Sequence, residues 1–74
     1  MENSLPPMPP SEFVREMSRF VSEKEGFRAD LKVFLIPRGY ADEDATGWDW
    51  APKTPETAVA IRQAFEDVRH LHGF

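Results

Sequence analysis

The chain contains no cysteine, which excludes disulfides and thiolate zinc sites. It holds no run of about 18 apolar residues, so the sequence provides no membrane-spanning helix. Its opening, MENSLPPMPP, has neither a basic n-region nor an apolar h-region, and is read as something other than a secretory signal. Lack of cysteine fits a reducing compartment. Cytoplasm is therefore the expected location. Also missing is an excess of basic residues: nine Lys and Arg stand against thirteen Asp and Glu, with a pI near 5.0. General binding to nucleic acid or to an anionic membrane needs the reverse balance.

Catalytic sets are missing as well. No glycine-rich phosphate loop occurs. Ser4, Ser11, Ser18 and Ser22 all lack the glycine neighbours of a nucleophile elbow. Paired carboxylates fall in one acidic segment and on exposed helix faces, where nothing raises a pKa for acid catalysis. His70 and His72 sit about 200° apart around a helix, so they cannot share one metal. The expectation is a protein that is not an enzyme and carries no cofactor or metal.

What is present is concentrated. The net charge of −4 comes from Tyr40 to Pro52, which contains Asp42, Glu43, Asp44 and Asp49 and no base. Residues 1–39 carry six acids and six bases, and residues 53–74 carry three of each. The same segment holds both tryptophans, Trp48 and Trp50. Carboxylates beside aromatic rings suit arginine, which pairs with the former and stacks on the latter. Asp42, Asp44, Thr46 and Gly47 also match the first half of an EF-hand loop. The match breaks at the twelfth position, where Lys53 stands in place of a bidentate glutamate.

Periodicity assigns the elements. Residues 1–10 hold four of the seven prolines and read as a disordered leader, with residues 11–74 as one small domain. Ser11 is the expected N-cap of a helix over 11–25, with Phe13, Val14, Met17, Phe20 and Val21 as its apolar stripe. Arg19 and Glu23 are spaced to pair on its outer face. Gly26 is expected to close this helix, with Phe27 folding back onto Val21. From Phe27 the period becomes two, placing Phe27, Ala29, Leu31, Val33 and Leu35 on one face of a strand that Pro37 stops. Trp48 to Ala51 reads as a second, short strand. Thr54 caps a helix over 55–72, with Pro55 at its first position and Gly73 beyond its end. Ile61, Ala64, Phe65, Val68 and Leu71 form its expected buried stripe.

These elements predict an α+β fold in which two amphipathic helices flank a one- or two-stranded β ribbon, in the order α-β-(β)-α. A small domain buries a modest share of its surface, and a lone strand leaves backbone groups unpaired. A homodimer through residues 29–36 would answer both problems. Functionally, the pattern reads as a small protein-binding module of the adaptor, inhibitor or regulator type, comparable in size and chemistry to phage or bacterial accessory proteins. It would dock a basic protein surface through Asp42, Glu43, Asp44, Trp48 and Asp49. The alternative is a small dimeric DNA-binding transcriptional regulator or antitoxin, with Arg15, Arg19, Arg28 and Lys32 on phosphates. Against it stands the interleaving of these bases with acids.

Overall fold

The computed structural model describes residues 4–37 and 44–74. Its elements are α1 (Pro10–Val21), β1 (Lys32–Ile36), β2 (Gly47–Ala51) and α2 (Pro55–His72), in the order α-β-β-α. The two strands form one antiparallel ribbon. This is the α+β ribbon flanked by helices that the periodicity predicts.

Helix α1 starts one residue earlier than Ser11 suggests. Pro10 occupies the first helical position, where its fixed φ suits the helix and its missing donor leaves nothing unsatisfied. Pro9 precedes another proline, which holds it extended at φ −57°, ψ 131°. Pro9 thus becomes the N-cap, and no side chain caps this end. The helix also ends early. The Ser22 hydroxyl donates to the Arg19 carbonyl at 2.7 Å, and the chain continues in i→i−3 bonds from Glu23 to Phe20 and from Lys24 to Val21. Such tightening is a common way to satisfy terminal carbonyls. Glu23 therefore lies past the helix, and Arg19 pairs instead with Glu16 at 3.8 Å.

Gly26 does not cap α1; Ser22 does. What glycine provides at 26 is space. A Cβ there would stand 2.8 Å from the Glu56 carbonyl carbon and 3.3 Å from the Ala60 Cβ, so the turn after α1 rests directly on α2. Phe27 is 37% exposed rather than folded onto Val21. Ala29 is exposed too. The Leu31 N–H donates to the Arg28 carbonyl at 2.9 Å, making a turn where the alternation suggests strand. Extended pairing starts only at Lys32.

The strand's partner lies within the chain. β1 pairs with β2 in the register Lys32↔Ala51, Val33↔Trp50, Phe34↔Asp49, Leu35↔Trp48 and Ile36↔Gly47. Side chains alternate across a pleat, so Val33, Leu35, Trp48 and Trp50 share the helix-facing side. The inner edges of both strands are satisfied without the second copy that residues 29–36 were expected to recruit. The Thr46 N–H donates to the Ile36 carbonyl at 2.8 Å, adding one bond beyond the end of β1–β2 pairing.

The core joins Phe13, Met17 and Val21 of α1 to Leu31, Val33 and Trp48, and to Ala60, Ile61, Ala64 and Val68 of α2. Aromatic rings fill its centre. Trp48 stacks on Phe65 with centroids 5.9 Å apart and planes at 9°, and Phe13 meets the Trp48 ring edge-on at 5.2 Å. Offset and edge-on pairs of this kind add stabilisation beyond the area they bury. Residues 4–9 also take part, contrary to a disordered leader. Ser4 bridges to Gly47, and Leu5 and Met8 pack against the core.

Helix α2 begins and ends where its sequence signals stand. Thr54 accepts the Thr57 N–H, and the Thr57 hydroxyl accepts the Thr54 N–H, giving a reciprocal capping box. Gly73 takes the left-handed conformation at φ 73° and donates to the Arg69 carbonyl. The buried stripe is Thr57, Ala60, Ile61, Ala64 and Val68. Leu71 lies outside it, 58% exposed.

Candidate functional site

The expected docking residues surround the β1–β2 connection. Asp42 and Glu43 lie outside the described residues. Asp44 is exposed beside them, at the end of the ribbon where Ile36 faces Gly47. The remaining two are divided by the pleat of β2. Asp49 projects from the face opposite the helices, whereas Trp48 points inward.

Trp48 is 3% exposed and belongs to the core. It cannot offer area to a partner, so its expected contact role gives way to a structural one. The physical reason is register. Trp48 stands opposite Leu35 on the inward face, where the ring meets Phe13 and Phe65. Its neighbour Trp50 packs against it with centroids 5.9 Å apart. Among the described residues neither indole N–H has a hydrogen-bond partner, although both are buried. Packing of the rings therefore outweighs a cost of about 1–3 kcal/mol per orphaned polar group.

Asp49 is engaged from two sides. It accepts a charge-assisted hydrogen bond from Lys53 Nζ and another from the Trp50 N–H at 2.8 Å. Lys53 also places its ammonium 3.6 Å from the Trp50 ring centroid, within cation–π range. The hydrogen bond from Lys53 is the largest influence holding the Asp49 carboxyl below its usual value. The Trp50 N–H acts in the same sense, and partial burial opposes both. By sequence Lys53 stands at the twelfth position of an incomplete calcium-type loop. The structure turns that residue back onto the loop's own acid, so a cation of the protein answers part of the charge.

The described residues of the acidic segment thus differ in their surroundings. Asp49 shares its charge with Lys53, and Trp48 is withdrawn into the core. Asp44 remains exposed. No group of three metal-ligating side chains occurs among the described residues. His72 approaches Glu16 across the helix pair at 3.6 Å, apart from this site. No helix among the described residues is long and apolar enough to cross a membrane.

A second concave surface lies outside anything the sequence singled out. It runs between the turn after α1 and the first half of α2, with a cavity volume of about 700 Å³, and includes Glu23, Glu25, Glu56 and Val59. Its residues come from segments about thirty positions apart, brought together where Gly26 approaches α2 and Lys24 pairs with Asp67. No periodic pattern could have revealed it. Comparison of the chain with protein-family models, with curated proteins and with solved structures gives no match in any of the three.

Proposed function

We propose that this protein is a non-enzymatic protein-binding module that docks a basic partner surface through its acidic β1–β2 connection. One observation carries the reading: the whole net charge of −4 falls within Tyr40–Pro52, with balanced charge on either side. The contact set is Asp42, Glu43 and Asp44, with Asp49 at its margin. Asp49 joins the set only if a partner's arginine displaces Lys53. Charge arranged in this way steers association and sets specificity more than it raises raw affinity. The partner class is a protein surface rich in arginine or lysine.

The test begins by capturing candidate partners, purifying them and titrating them against the wild-type chain and Asp42→Asn/Glu43→Gln/Asp44→Asn. The triple variant should bind several-fold more weakly and show a flatter dependence on salt, with its circular dichroism unchanged. Equal affinity and an equal salt slope for the two chains sink the proposal. A low-salt gel-shift series examines the DNA-binding alternative, since the protein-binding reading expects no retarded duplex. Light scattering examines a homodimer through residues 29–36. The in-chain pairing of β1 with β2 has removed much of the need for one.

A further inference from the structure

We propose that the groove between the turn after α1 and the N-terminal half of α2 is a second docking site. Its occupant is a basic amphipathic segment of a partner protein. The inference does not depend on the acidic connection. The chain enters α2 from the Lys32↔Ala51 end of the ribbon, whereas Asp44 lies at the Ile36↔Gly47 end. The start of α2 and Asp44 therefore adjoin opposite ends of the ribbon.

The groove has the two properties such a segment needs. The first is apolar surface. Large hydrophobic side chains exposed among the described residues are Phe27, Val59 and Leu71. Val59, 42% exposed, lines the groove, and Phe27 directly follows its Gly26. Exposed apolar area beside a concave wall is a common mark of a contact surface.

The second property is uncompensated charge of one sign. Glu23, Glu25 and Glu56 line the groove, and none has an ion-pair partner among the described residues. Nearby cations are already committed. Lys24 also lines the groove, but its ammonium is paired with Asp67 on α2, and the Arg28 guanidinium makes two hydrogen bonds to Asp30, at 3.0 and 3.1 Å. The positive end of the α2 dipole is worth roughly half a charge, against three full negative charges. The wall is net acidic over an apolar floor. An arginine or lysine fits both parts, with its aliphatic stem on Val59 and its head among the glutamates.

Gly26 builds this geometry. Its missing side chain lets the 23–27 turn lie against Glu56 and Ala60, which sets the groove's width. Lys24 fastens the same turn further along, at Asp67. The groove is therefore a preformed surface held at two points, and binding would require little ordering of the protein.

The probe is a dye-labelled synthetic peptide of alternating leucine and arginine pairs, with a control in which glutamate replaces every arginine. Titrated at low salt into the 15N-labelled full chain, the arginine peptide should shift the amides of residues 23–27 and 56–63. Glu23→Gln/Glu25→Gln/Glu56→Gln should bind it roughly tenfold more weakly, the sum of three exposed ion pairs. Val59→Ser should weaken it several-fold, and Asp42→Asn/Glu43→Gln/Asp44→Asn should leave the shifts at residues 23–27 unchanged. All four groove positions except Val59 are surface charges, so the glutamine variant keeps the test decisive if Val59→Ser loses its fold. Equal binding of the glutamate control, an undiminished affinity of the glutamine variant, or shifts confined to other surfaces overturns the proposal. So does a dimer whose formation alone shifts the 23–27 amides, because the occupant would then be a second copy.

Discussion

Gly26 and Glu56 touch so closely that no side chain fits between them. A Cβ on Gly26 would stand 2.8 Å from the Glu56 carbonyl carbon, and closer still to its oxygen. Backbone is the obstacle, and backbone at the first turn of a capped helix cannot yield cheaply. Gly26→Ala should therefore destabilise the protein by about 1–3 kcal/mol, the usual range for overpacking. Glu25→Ala, one residue away and exposed, should stay within about 0.5 kcal/mol. Urea unfolding of the two variants beside wild type measures both. Equal midpoints for Gly26→Ala and wild type would show that the turn can move off α2 without loss.

Thr57 is fully buried and works through its hydroxyl. That oxygen accepts the Thr54 N–H at 2.8 Å and donates to the Pro52 carbonyl at 2.8 Å, tying the end of β2 to the start of α2. Thr57→Val keeps the shape and leaves both backbone groups unpaired. The expected cost is about 1–3 kcal/mol. Thr57→Ser retains the hydroxyl and should lose less. Thermal unfolding ranks the two, and a valine variant as stable as the serine one would remove the hydroxyl from the account.

Asp49 gives the stability a dependence on acid. Its carboxyl titrates below the ordinary aspartate value, chiefly because Lys53 hydrogen-bonds its charged form. A carboxyl whose folded pKa is depressed contributes stability above its unfolded pKa, about 3.9, and loses it as pH falls through the folded value. Asp49→Asn should therefore be less stable than wild type at neutral pH by about 0.5–1 kcal/mol, as for a partly exposed pair. The gap should close as pH falls below about 4. Unfolding midpoints between pH 2 and 7 follow it. A gap of constant size would assign the loss to packing and not to charge.

The elements of this fold were legible to different degrees, for reasons that differ residue by residue. Alternation showed that Val33 and Leu35 share a face, and it placed both tryptophans together. Alternation also extended that face to Phe27 and Ala29, where the Arg28–Leu31 turn interrupts it. A period of two describes side-chain direction only while the backbone stays extended, and nothing local announces where pairing begins. The acidic segment was legible as charge. Its division was not, because whether Trp48 is surface or core depends on Phe13 and Phe65 standing over it.

The sequence by itself determined α2. Thr54-Pro55 and Gly73 act through hydrogen bonds and backbone angles within a single turn, so the limits of the helix, Pro55 and His72, are set locally. It also determined the alternating inward face of the ribbon and the acidity of Tyr40–Pro52. Tertiary structure decided what those parts became. It pushed Leu71 out of the apolar stripe and drew Leu5 and Met8 in, paired Lys53 with Asp49, and laid Gly26 on Glu56 to form a groove. Each of these outcomes joins groups held by different elements. Their distances are fixed by how helices and ribbon pack as bodies, and local propensity carries no information about that.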